Sequence, residues 1–104
     1  MHEVRQHFRE IDGNTVPTYM ENICSANIIQ VEAGSTGYCG GDSGHGGRTY
    51  FRIEDLGGTD IRVNPINSLF GNGGLEVTLG GDCELATIIE ALDFIAQCLK
   101  DSII

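Results

Sequence analysis

Hydrophobic and polar residues alternate along most of this chain and switch to a helical period only near its end. Residues 3–11, EVRQHFREI, alternate loosely, Asp12-Gly13-Asn14 is a turn signal, and TVPTYM follows. The pattern predicts a short hairpin, with Pro17 better suited to an edge strand than a central one. ENICSAN reads as a connector with room for a short helical turn. Residues 27–33, NIIQVEA, predict a strand with Ile29, Val31 and Ala33 on one face and Ile28, Gln30 and Glu32 on the other. RTYFRIEDL predicts another, with Thr49, Phe51 and Ile53 opposed to Tyr50, Arg52 and Glu54. Gly57-Gly58 then predicts a tight turn, and TDIRVNPI its returning partner strand, with Ile61 and Val63 inward. In that pairing Arg52 and Arg62 project from the same polar face. SLFGNGG is a second turn region, and LEVTL a strand with Leu75, Val77 and Leu79 inward.

The final segment changes period. Leu85, Ile88, Ile89, Leu92, Ile95, Ala96 and Leu99 recur at helical spacing, while Glu90, Asp93 and Gln97 fall opposite. Asp82 is placed to act as N-cap, Glu84 lies in the first turn and Lys100 in the last, as the helix dipole favours. This stripe must be buried on the sheet or on a partner helix. The layout is α+β: a mainly antiparallel sheet with one C-terminal amphipathic helix. Residues 1–26 read as an N-terminal extension carrying the hairpin, and residues 27–104 as the sheet-plus-helix domain. One helix covers one face of a sheet. The face with Tyr50, Arg52 and Arg62 is then wet or covered by a second subunit, so a homodimer or higher homo-oligomer is expected.

Composition narrows the function. With 104 residues, 40 % hydrophobic and 20 % charged, the chain is an ordinary globular domain. No run approaches the ~18 apolar residues of a membrane span, and the charged start MHEVRQHFRE is no signal peptide. A cytoplasmic location follows as the expectation. Cys24, Cys39, Cys83 and Cys98 are then expected as reduced thiols. No C-x-x-C pair is present, and neither a metal nor a cofactor is expected. The net charge of −9 argues against long nucleic acid and anionic membranes as partners. It leaves room for a small anionic ligand, which needs only a few local cations and backbone donors.

The chemistry concentrates in GSTGYCGGDSGHGG, where seven of fourteen residues are glycine. Glycine lets backbone N–H groups converge on an anion. No P-loop or Rossmann fingerprint is present, because the segment leads into a strand rather than a helix. A flexible hairpin connection would have this glycine content too, but it has no need for Tyr38, Asp42, Ser43, His45 and Arg48 together. Read as a ligand cradle, Gly40, Gly41, Gly46 and Gly47 supply backbone donors and Arg48, Arg52 and Arg62 hold phosphates. Tyr38, His45 or Tyr50 stacks on a base, and Asp42 takes ribose hydroxyls. A Cys39–His45 nucleophilic pair is conceivable, but no third group orients it, and no catalytic residue is assigned. The second GGD, at 80–82, offers free N–H groups at the helix start or serves only as a cap.

GYCGGDSGHGGRTYFRIEDLGGTDIRV together with LGGDCELATIIEALDFIAQCL resembles small phage and prophage proteins of Gram-positive bacteria, over roughly residues 27–100. Small acidic phage proteins of this size are often counter-defence factors. In broad plan the chain is similar to Thoeris anti-defence proteins, which sequester cyclic nucleotide immune signals without cleaving them. The resemblance implies a non-enzymatic sponge for a cyclic nucleotide or ADP-ribose isomer. The alternative is an acidic inhibitor of a host defence complex, working through Glu32, Glu54, Asp55 and Glu90.

Overall fold

A computed structural model describes residues 3–40, 46–67, 71 and 73–103. The order of elements is β1 (Arg5–Ile11), β2 (Asn14–Cys24), β3 (Ile28–Ser35), β4 (Thr49–Gly57), β5 (Ile61–Ile66), β6 (Gly74–Leu79) and α1 (Asp82–Asp101). All strand pairings are antiparallel, so the fold is α+β. The strands form two sheets, β1-β2-β3-β4 and β5-β6.

The β1–β2 hairpin closes through Asp12 (φ 52°) and Gly13 (φ 81°), with Ile11 opposite Asn14. Two consecutive positive φ values match the twist of the flanking strands, which explains the Asp-Gly pair. β2 runs on through Glu21–Cys24, where a connector was expected. No break separates this hairpin from the rest, since β2 pairs with β3 from Thr18↔Gly34 to Cys24↔Ile28.

The pairing after β4 differs from the expectation. β4 pairs with β3, and β5 pairs with β6, so Gly57-Gly58 joins two sheets and turns no hairpin. Asp60 sets this course: its carbonyl accepts from Gly80 N at 3.0 Å, and its N–H donates to Glu84 Oε2 at 3.2 Å. These bonds fasten the base of β5–β6 to the start of the helix.

Helix α1 lies on the larger sheet. Its Ala91, Ile95 and Cys98 pack with Ile23, Val31 and Ala33 of the strands. Full burial of a side chain such as Ile23 or Val31 contributes about 1.5–3 kcal/mol. The buried helix residues are Thr87, Ala91, Ile95 and Cys98. They are centred roughly a third of a turn from the expected stripe, and mostly small, which lets the helix approach the sheet closely. Ile95 belongs to both sets. Leu85, Ile89 and Leu92 remain 59, 51 and 53 % exposed. The N-cap also differs: Gly81 occupies it without a side-chain cap bond, and Asp82 is the first helical residue.

Asn27 ties three segments together. It is buried, and its Nδ2 donates to Thr59 Oγ1 at 3.0 Å and to Thr87 Oγ1 at 3.1 Å. The β2–β3 turn, the β4–β5 connection and the first turns of the helix thus meet at one amide. Among the described residues, no helix is long and apolar enough to cross a membrane.

Candidate functional site

The glycine-rich segment leaves β3 at Ser35 and enters β4 at Thr49, which are register partners. Its neck is fixed by hydroxyls. Ser35 Oγ and Thr49 Oγ1 bond at 2.9 Å, and Gly37 N donates to Ser35 Oγ at 2.9 Å. Thr36 N donates to the Arg48 carbonyl at 3.0 Å, and Arg48 N to Thr36 Oγ1 at 2.9 Å. Two glycines are required here by space. A Cβ on Gly47 would run into the Gly37 carbonyl, and one on Gly37, at φ +80°, into the Ser102 carbonyl. The neck is therefore packed against the C-terminal end of α1.

That packing creates a cleft of about 270 Å³ lined by Ser35, Tyr38, Thr49, Leu99, Lys100 and Ile103, with Gly37 at its edge. Tyr38 is 88 % exposed at its mouth. A larger groove of about 700 Å³ on the β2 side of the helix shares Ser35 as a wall and reaches Pro17, Tyr19 and Phe94. The small cleft joins an aromatic ring, an ammonium and two hydroxyls over an apolar floor. Such a set orients a ligand part with one flat apolar face and one anionic or hydroxylated edge.

The expected residues are only partly gathered there. Tyr38 lines the cleft. Gly40 and Gly46 approach each other where the segment leaves and re-enters the neck, beside Gly47. Gly41, Asp42 and His45 lie outside the described residues. Arg48 donates from Nε to Asp12 Oδ2 at 3.0 Å and from Nη1 to the Gly46 and Gly47 carbonyls at 3.1 and 3.2 Å. Its guanidinium joins the neck to the β1–β2 turn, so a phosphate bound there would compete with Asp12. Arg52 stands on the sheet face away from the helix and pairs with Glu54 at 2.9 Å. Arg62 is exposed on β5 opposite Thr78, in the other sheet. The patch expected from Arg52 and Arg62 on adjacent strands is not formed, because β4 and β5 do not pair.

Tyr50 is also engaged, and by a residue the sequence reading passed over. The Arg9 guanidinium lies 5.3 Å from the centre of the Tyr50 ring, a cation–π distance. The same guanidinium grips Glu32, with Nε at 2.8 Å from Oε2 and Nη2 at 2.5 Å from Oε1. Thr18 Oγ1 adds a bond to Oε2 at 2.6 Å. Glu32 is wholly buried. The Arg9 hydrogen bonds hold its carboxyl below the usual carboxylate range against the opposing effect of burial, with Thr18 reinforcing them. This group buries Glu32 and Thr18 on the second face of the larger sheet. It also removes Glu32 from any acidic docking surface. The alternation around Glu32 marked it as solvent-facing, and its partner lies 23 residues away in sequence. No local pattern pointed to the pair.

Lys100 was likewise read only as a helix-end charge, Ser35 as part of the glycine-rich segment and Thr49 as a strand residue. Their proximity to Tyr38 depends on how the helix lies. Among the described residues no group of His, Cys, Asp or Glu is placed to hold a metal ion. Of the free thiols, Cys98 is buried and pushed up to about 11 by desolvation, with Asp101 and Glu21 adding. Cys39 is exposed and lies 3.5 Å from Thr36 Oγ1. No protein-family model, curated protein or solved structure matches this chain.

Proposed function

We propose that this chain is a non-enzymatic binding protein that holds one part of a small phosphate-bearing nucleotide in the cleft at the neck of its glycine-rich segment. The observation that carries the reading is the placement of Tyr38, exposed at the mouth of a cleft whose walls include Ser35, Thr49 and Lys100. An exposed ring offers a base a stacking surface at low entropic cost, worth about 1–3 kcal/mol. The ammonium and hydroxyls suit a phosphate or ribose edge. Outside the cleft, the Glu32 carboxylate is closed off by Arg9 and Thr18. The shifted thiol, Cys98, is held protonated by burial.

With the resemblance to phage proteins, the biological reading is a counter-defence sponge that retains a cyclic nucleotide or ADP-ribose isomer in the bacterial cytoplasm. Native mass spectrometry after incubation with a pooled panel of these compounds tests it. The expected result is a complex that releases its ligand unchanged on denaturation. Tyr38→Ala and Lys100→Ala should each weaken it at least tenfold, about 1.4 kcal/mol. Retention of full affinity in both variants, or no retained compound from the panel, contradicts the reading. The acidic-inhibitor alternative keeps Glu54, Asp55 and Glu90 on the surface but loses Glu32.

A further inference from the structure

We propose that the groove between the β5–β6 hairpin and helix α1 is the interface with a second copy of this chain. The inference does not depend on the nucleotide reading.

The hairpin presents one apolar face. Ile61↔Leu79, Val63↔Val77 and Pro65↔Leu75 are register pairs, so their side chains lie on the same side. That side looks across a groove of about 610 Å³ to Ile88 and Leu92 of the helix and to Phe51 and Ile53 of β4. The walls do not close on each other. Val63 is 59 % exposed, Leu75 61 % and Phe51 54 %. Beside the groove runs the helix ridge of Leu85, Ile89 and Leu92, more than half exposed. A two-stranded ribbon is marginal in water unless its apolar face packs on something. Among the described residues, hydrogen bonds at its base tie it to the start of the helix.

The occupant follows from area, charge and shape. The chain exposes 6977 Å², whereas a monomer of its mass exposes about 5,700 Å². Its radius of gyration is 15.2 Å, against about 13 Å for a compact domain of this length. The excess surface, about 1,300 Å², is more than the ~800 Å² each partner contributes to a standard interface.

Charge selects among candidates. The chain carries −9, so two copies repel over most approaches. Among the described residues lining the groove there is no carboxylate, and Arg52, the one charged residue at its wall, turns its side chain to the opposite sheet face, where it pairs with Glu54. This is where like-charged copies meet without opposing acid. The net charge disfavours an anionic lipid surface in the same place. Shape fits as well. A concave groove beside a convex ridge is self-complementary under a two-fold axis, where each ridge enters the other copy's groove.

Sedimentation equilibrium on the full chain tests the proposal. At about 10 µM the wild type should sediment as a dimer of the 11.2 kDa chain. Ile89→Glu on the ridge and Leu75→Lys in the groove should each weaken association at least a hundredfold while leaving the far-ultraviolet circular dichroism unchanged. Both side chains are half exposed or more in the single copy, and where one variant fails to fold the other decides. Phe8→Ser, 65 % exposed on edge strand β1, should leave association unchanged. A monomeric wild type at that concentration overturns the proposal. So does a dimer that persists in the folded variants, or one lost equally on Phe8→Ser.

Discussion

The two sheets of this molecule are built from similar strands and meet opposite fates. In the β1–β4 sheet α1 covers Val31 and Ala33, and on the other face Glu32 and Thr18 are buried beneath the Arg9 guanidinium. The β5–β6 sheet has an apolar face, from Val63 to Leu79, that stays largely exposed among the described residues. Alternation specifies which side chains share a face. It does not specify what that face meets. A covered sheet derives its stability from within the chain, whereas an uncovered one needs a partner.

The largest test of this contrast is Arg9→Met. It removes the cation and leaves Glu32 buried without its partner, which costs about 3 kcal/mol, the low end for a buried pair because Arg9 is itself about a third exposed. Urea denaturation should show that loss. The pair also makes stability acid-sensitive. Because the folded carboxyl is held below its unfolded value, its contribution is complete above the unfolded glutamate pKa of about 4.3. It disappears as pH falls from there through the lower folded value. Wild type should lose stability over that window, and Arg9→Met should lose much less.

Next comes a matched pair of truncations. Ile23→Ala, in the covered sheet at 2 % exposure, should cost about 3 kcal/mol. Val63→Ala, in the bare hairpin, should cost under about 0.5 kcal/mol in dilute protein. Near-equal costs would remove the distinction between the two regions. Asn27→Ala probes their junction. It deletes the bonds to Thr59 and Thr87, with an expected loss of about 1–2 kcal/mol, and should loosen the hairpin base in hydrogen exchange. The smallest expected effect is one of rate. In an Ellman titration Cys24, Cys39 and Cys83 should react at once, and Cys98, buried under the helix, only as the helix lifts.

Much of the architecture was legible. The faces of β3 and β4, the Asp12-Gly13 turn and the C-terminal helix follow from local pattern, because each is set by neighbours two to four residues away. What was missed depends on distant contacts. The apolar arc of α1 is wide enough to offer two faces, and the stripe from Leu85 to Leu99 pointed to the more exposed one. The small residues Thr87, Ala91 and Cys98 identify the packed face only once the sheet is in place. The Gly57-Gly58 pair signalled a hairpin, but Asp60 is tied to Gly80 and Glu84 and redirects β5 to β6. In the site, Tyr38 was readable as a polar handle among glycines. Lys100 was not, since it arrives from the far end of the chain.

The most direct test of the central contrast is hydrogen exchange by mass spectrometry at two protein concentrations a hundredfold apart. The account predicts that β5, β6 and the helix surface around Leu85 and Ile89 gain protection as concentration rises. The amides of β2 and β3 should exchange at the same rate at both. Equal protection of the β5–β6 hairpin at both concentrations, on a chain shown to be monomeric in each, would contradict it.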